Sequence, residues 1–210
     1  MLWDKVAWIR KKTFEAKTEE EAVDLACLDL GITLEELHYK VIEEKKGLFS
    51  KKTVIECFDN QMVEEYMSGY IRRILEDMGF TVETATFFQD QRYYCNIDTD
   101  NNSILIGKGG VILRTLNFVT KHAVQTEFGE RLEISVDING YKEERFKKVA
   151  ALGKRLGKQV QRTHVDVKLD PMPADERKVL HSTIAQMDHL RTESQGEGKN
   201  RFITIYYVED

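Results

Sequence analysis

Only two prolines occur in the 210 residues, both inside the stretch DPMPADE. No proline-rich linker therefore separates domains, and boundaries have to be read from changes in periodicity and from turn signals. The three cysteines, Cys27, Cys57 and Cys95, are odd in number, widely spaced and without a CxxC pair. That pattern argues against a disulfide framework and against a structural zinc site. No apolar run reaches the roughly 18 residues that a membrane span requires. The start, MLWDKVAWIRKK, has an early Asp4 and neither the apolar stretch nor the cleavage site of a secretory signal. Internal repeats and low-complexity tracts are absent. Together these absences predict a cytoplasmic protein with reduced thiols.

What is present is enough to fold. A hydrophobic fraction of 41% with 10% aromatics supports packed cores and argues against disorder. The net charge of −5 speaks mildly against a nucleic-acid partner, but it averages over a gradient. Residues 1–58 sum to −2, residues 59–138 to −6 and residues 139–210 to +3. Within 142–162 there are 8 basic residues against 2 acidic ones, a concentrated positive helix. Such a helix suits nucleic acid and suits a solvated face equally well.

The periodicities divide the chain into three segments, 1–58, 59–138 and 139–210. In the first, VAWIR and FEAK read as extended. Thr18 with Glu21 forms a capping box that opens a helix with Ala22, Leu25, Ala26 and Leu28–Leu30 on its apolar side, and Gly31 stops it. HYKVIEEKKGLFSKKTVIECF then reads as two strands around a Lys- and Gly-rich loop. In the second segment Val63, Met67, Ile71, Ile74, Leu75 and Met78 recur at helical spacing before Gly79. TVETATFF and RYYCNID follow as strands, NSILI as a short turn, and Ile112, Leu116, Val119 and Ala123 as the buried stripe of a further helix. LEISVDI closes the segment. The third segment reads as a basic helix with Phe146, Val149, Leu152, Leu156 and Val160 inward, a short strand HVDVKL, a helix PADERKVLHSTIAQM, and two strands around QGEGKN. The fold class expected is α+β: three small α/β-sandwich-type domains in series.

The glycine cluster GKGG between NSILI and VILRTL does not fit the phosphate loop GxxxxGK[ST], which joins a strand to a helix. It joins two helices. Glycines without Cβ let a loop backbone approach a sugar-phosphate chain, and the helix start behind them offers free N–H groups to anions. ILIGKGGVILRTL resembles a KH loop, with Gly107, Lys108, Gly109 and Gly110 in the loop and Ile106 beneath it. The order αββααβ resembles the type II KH form, whose groove takes about four unpaired nucleotides. The resemblance implies Lys108 as a phosphate contact and Arg114, one turn on, as an extension of the positive surface. Gly109 departs from the usual polar residue, which removes one contact and predicts a floppier loop.

Arg177 and His181, four residues apart, share one helix face. On their own they are a common surface pair. Within an αβαββ segment that ends TESQGEGKNRFITI they resemble the R-3-H domain, a binder of single-stranded nucleic acid. That resemblance implies Arg177 on phosphate or a base edge, with His181 stacking, hydrogen-bonding or bracing it. Lys178, Arg201 and Lys199 are the implied neighbours, while Asp175 stands where relatives more often carry an aromatic. The three segments in tandem resemble the bacterial Jag family along essentially the whole chain. EEKKGLFSKK is similar to that family's Lys-Lys-Gly loop at Lys45–Gly47, although Ser50 lies near the place of a later glycine.

The resemblance implies a non-catalytic, cytoplasmic protein that binds single-stranded RNA, with single-stranded DNA open as well. It implies a post-transcriptional regulator or RNA chaperone tied to cell elongation, division or sporulation, without cofactor or metal. A small KH-domain protein or a second copy of the chain are the implied protein partners. Two other readings compete. An enzyme would have to use His181 or His164 with Asp166 or Asp170, yet nothing in the spacing brings nucleophile, base and orienting carboxylate together. An adaptor would dock through the acidic N-terminal domain, with weak or no nucleic-acid binding.

Overall fold

In a computed structural model that describes residues 11–46 and 51–209, the chain forms two compact units, Met1–Asn139 and Gly140–Asp210. The sequence-predicted strand VAWIR and the Gly47–Ser50 part of the Lys-Lys-Gly loop lie outside the described residues.

The first unit contains two three-stranded sheets. Strand β1 (Lys12–Ala16) leads into helix α1 (Glu19–Leu30), followed by β2 (His38–Lys46) and β3 (Lys51–Phe58) in the antiparallel order β1-β3-β2. The cap that opens α1 is the predicted one. The Thr18 hydroxyl accepts from the Glu21 N–H at 3.2 Å, and the Glu21 carboxylate accepts from the Lys17 N–H at 3.1 Å. Gly31, at φ 69°, ends the helix with its N–H on the Cys27 carbonyl. The buried side of α1 is narrower than expected. Ala22, Val23 and Ala26 lie against Ile55 and Cys57, whereas Leu25 is 46% and Leu28 81% exposed. Two alanines at i and i+4 bring the helix close to the sheet, which turns the neighbouring leucines outward.

The second sheet follows directly. Asp59 caps α2 (Asn60–Asp77) by accepting from the Met62 N–H at 2.7 Å. Then come β4 (Val82–Gln89), β5 (Arg92–Thr99), α3 (Asn102–Ile106), α4 (Val111–Phe128) and β6 (Ile134–Ile138). The β4–β5 pair is antiparallel and turns at Asp90 and Gln91, both at positive φ, the hairpin geometry that matches strand twist. Strand β6 returns parallel to β5. The observed order is thus αββααβ, as expected, with NSILI as the short helix α3. Met67, Ile71 and Leu75 of α2 are buried, together with Tyr66, while Met78 is exposed. The two sheets meet through aromatic rings: His38 stacks on Phe58 at 4.8 Å, and Phe58 and Tyr66 both pack on Phe128.

The second unit contains α5 (Tyr141–Thr163), β7 (Val167–Lys168), α6 (Ala174–Ile184), β8 (Leu190–Gln195) and β9 (Phe202–Tyr207). The sheet runs β7-β9-β8 with antiparallel pairs, and β7 is only two residues long. Val149, Val160, Leu180, Ile184, Ile203 and Ile205 form its core, with Leu152 and Leu156 packed at the margin. Gly153 and Gly157, invisible to an apolar-pattern reading, set the approach of the two helices. A Cβ on Gly153 would lie 2.8 Å from Leu180 Cδ1, and one on Gly157 would lie 2.7 Å from the Met187 sulfur.

Candidate nucleic-acid interface

The GKGG loop lies between α3 and α4 as expected, but its support differs from the sequence reading. Leu105, not Ile106, is the buried residue before the loop. The buried stripe of α4 is Leu113, Leu116, Thr120, Val124 and Phe128, one position beyond most of the stripe expected from the sequence. Left-handed Gly109 and Gly110 rotate the helix start and set that phase. Ile112 leaves the core and lies against Gly107 instead, where an added Cβ would meet its Cγ1 at 2.7 Å.

No side chain caps the start of α4, and its first turn holds no acidic residue. Lys108 and Gly109 are exposed. The positive end of the helix, the loop backbone and the Lys108 ammonium therefore form one electropositive surface that nothing acidic in that turn neutralises. Arg114 does something the sequence reading did not include. Its Nη1 donates to the Gly109 carbonyl at 2.7 Å, which tethers the glycine that was expected to loosen the loop. One guanidinium donor is used in this way, and the remaining ones extend the positive surface.

In the second unit Arg177 lies on α6, and its guanidinium reaches the adjacent edge strand. Nε donates to the Met172 carbonyl at 3.3 Å and Nη1 to the Ser194 hydroxyl at 2.6 Å. Arg201 donates from Nε to the same hydroxyl at 3.1 Å. Two guanidinium groups thus converge on one neutral oxygen, and neither forms an ion pair with a carboxylate among the described residues. Ser194, which the sequence reading includes only within TESQGEGKNRFITI, is the hub. Its signal was its place in TESQGEGKNR. Gly196, at φ 81°, shapes the turn that returns the chain to Arg201 and has no room for a side chain: a Cβ there would lie 2.8 Å from the Asn200 carbonyl oxygen.

His181 does not brace Arg177. Its Nδ1 pairs with the Thr192 hydroxyl at 2.5 Å. Burial, and then the nearby Arg177 charge, push its pKa below the ordinary 6.5. The ring is therefore neutral at pH 7 and takes a proton more readily once the chain unfolds. Between the folded and unfolded values the unfolded chain binds more protons, so stability falls as pH drops below about 6.5. In urea titrations the wild type is expected to lose more stability between pH 7 and pH 5 than His181→Asn. Parallel losses in the two proteins would contradict this.

Lys178 is exposed on the same helix and makes no ion pair among the described residues. Asp175 accepts from the Glu176 N–H. The basic helix is held by a contact that the sequence reading missed. Arg145 grips the buried Glu176 through both carboxylate oxygens, at 3.0 and 2.9 Å. The proposed catalytic alternatives do not assemble: His164 stacks on Tyr207 at 3.8 Å, and Asp166 accepts from the Tyr207 N–H. Among the described residues no group of three or more His, Cys, Asp or Glu could hold a metal, and no helix is long and apolar enough to cross a membrane.

An αβαββ unit with a paired-arginine edge follows an αββααβ unit with a glycine loop, so the chain is a series of small α+β modules. Residues 147–207 match the R-3-H domain family, and residues 14–57 match the Jag N-terminus family. The RNA-binding protein KhpB of Bacillus subtilis is 31% identical over 208 residues, covering 94% of this chain and 98% of that protein. RNA-binding protein KhpB of Clostridium symbiosum is 27% identical over 199 residues, covering 92% and 90%. The chain belongs to the Jag family, with the KhpB proteins.

Proposed function

We propose that the protein binds single-stranded RNA without catalysing a reaction on it, and that its two contact surfaces are the Gly107–Gly110 loop with Lys108 and Arg114, and the Arg177, Lys178 and Arg201 edge with His181. The observation that carries this is the convergence of Arg177 and Arg201 on Ser194. Two adjacent guanidinium groups without a carboxylate are costly in a folded protein unless an anion offsets them, and a phosphate matches their forked donors. The names of the KhpB relatives support RNA as the source of that phosphate. Phosphate contacts supply affinity and make it salt-sensitive, and two linked surfaces raise it further when one strand engages both.

The finer role, a post-transcriptional regulator or RNA chaperone tied to cell elongation, division or sporulation, rests on the family resemblance. So does a cytoplasmic setting. A division into three domains at residues 58 and 138 is the boundary set we favour, since each segment carries one sheet. A small KH-domain partner or a second copy is supported by the exposed Phe118 on α4. The adaptor reading is favoured by one observation, the exposed Leu25 and Leu28 on α1.

Titration of fluorescent single-stranded RNA into the full chain at two salt concentrations tests this. Lys108→Asp with Gly109→Asp is expected to weaken binding about tenfold or more, since each lost phosphate contact also flattens the salt dependence. Arg177→Ala is expected to cost about 10- to 100-fold, the range for a charge-assisted hydrogen bond. Wild-type protein that shows no salt-sensitive binding would overturn the RNA reading and leave the adaptor reading in its place.

A further inference from the structure

The β7-β9-β8 sheet has two faces, and only one packs on helices. Ile203, Ile205 and Tyr207 of β9 join the core with residues of α5 and α6. Alternation then puts Phe202, Thr204 and Tyr206 on the opposite, outer face. The register brings Gln195, Glu193 and Arg191 of β8 beside these three, and Lys168 of β7 beside Thr204. Both rings on this face carry a cation: Lys168 Nζ lies 4.1 Å from the Phe202 ring centre, and the Arg191 guanidinium carbon lies 5.4 Å from that of Tyr206. Gln195 donates to the Tyr206 hydroxyl at 2.8 Å and fixes that ring from the side.

We propose that this outer face stacks unpaired bases of the same RNA strand whose phosphate lies at Arg177 and Arg201, with Phe202 and Tyr206 as the two stacking rings. The inference rests on the RNA reading above. Two observations carry it. The first is continuity: Arg201, at the paired-arginine edge, is followed directly by Phe202, so a strand that leaves the phosphate site over the β8 edge meets the ring next. The second is the charge pattern. Lys168 and Arg191 lie on the two outer strands, each beside a ring, whereas the only carboxylate of this register, Glu193, lies on β8 beside the buried Thr204 and carries no ring. A phosphate is drawn to the cations on the outer strands, and the neutral rings of the central strand are left to the bases. The backbone then follows the flanking cations and the bases turn inward onto the rings. Phe202 and Tyr206 are four residues apart on one strand, about 13 Å, a spacing that suits bases splayed apart on an extended strand and not a stacked duplex. On binding, each base takes the open side of a ring and the cation that rested on it moves to a neighbouring phosphate.

The test uses the full chain and a fluorescein-labelled oligouridylate. Phe202→Ala and Tyr206→Ala are each expected to weaken binding roughly tenfold, the scale of one base–ring stack, with the salt slope of the wild type retained because no phosphate contact is removed. Tyr206→Phe keeps the ring and is expected to keep the affinity. Phe202→Leu keeps the packing volume without a π-face, so it carries the same test if the alanine variant unfolds. If Phe202→Leu and Tyr206→Ala bind like wild type while Arg177→Ala is weakened, the stacking face is overturned and the RNA reading stands. If the ring variants flatten the salt slope as Arg177→Ala does, they act through the phosphate site and stacking is overturned. If wild-type protein does not bind, both readings fall.

Discussion

Replacing Arg145 with alanine is expected to destabilise the second unit by about 3 kcal/mol, the cost of leaving a buried charge without its partner. The reason lies in the asymmetry of the pair. The Glu176 side chain is 4% exposed and the Arg145 side chain 39%. Without Arg145, the buried carboxylate loses both of its charge-assisted hydrogen bonds. Without the carboxylate, as in Glu176→Gln, the guanidinium is still wet, and the cost is expected near 1 kcal/mol, as for a largely solvated pair. The double replacement Arg145→Met with Glu176→Met removes both charges and is expected to recover most of the loss. Chemical denaturation of the four proteins compares these costs, and equal losses in the two single variants would show that burial does not set the cost. The pair also bears on the site. Glu176 precedes Arg177 on α6, so the grip of α5 on Glu176 holds the helix end that carries the guanidinium we propose for phosphate.

The Arg145–Glu176 pair also shows where sequence reading stops. Its members are 31 residues apart, on two helices, and no local spacing joins them. What the sequence made legible was local. Thr18 with Glu21 and Gly31 marked the two ends of α1, the 3.6-residue period marked α2, and the place of GKGG between two helical patterns marked the loop. Arg177 and His181 were legible as one helix face because they are four residues apart. What each of those side chains touches was not. Ser194, which joins Arg177 to Arg201, and Thr192, which takes His181, come from an edge strand that only the fold brings near. Helix phase failed for a related reason. An apolar stripe one position away from the true one is nearly as regular, and the choice on α4 was made by the left-handed glycines before it. On α1 it was made by small residues, Ala22 and Ala26, whose contribution is closeness rather than hydrophobic mass.

Gly107→Ala is expected to cost about 3 kcal/mol, from backbone strain and a clash acting together, while Gly109→Ala is expected to cost about 1 kcal/mol. Both glycines have positive φ, yet their positions differ. Gly107, at φ 70° and ψ 175°, occupies a region that side-chain-bearing residues essentially avoid. Its missing Cβ would also lie 2.7, 3.0 and 3.2 Å from three carbons of Ile112, one of them the Cβ fixed to the helix backbone. Gly109, at φ 61° and ψ 25°, is in the ordinary left-handed region, and nothing lies within 4 Å of the place its Cβ would take. Ile112→Ala removes the two outer carbons but not the φ requirement, so adding it to Gly107→Ala is expected to restore part of the loss and not all. Thermal melts of the full chain measure this, and a complete rescue would assign the whole cost to the clash. RNA affinity divides differently between the two positions. Gly107 shapes the entry to α4, so alanine there displaces the helix start that would face phosphate. Alanine at Gly109 adds a methyl group to an exposed position whose carbonyl Arg114 already holds, and is expected to leave affinity nearly unchanged. A greater affinity loss at Gly109 than at Gly107 would place the phosphate at the loop tip rather than at the helix start.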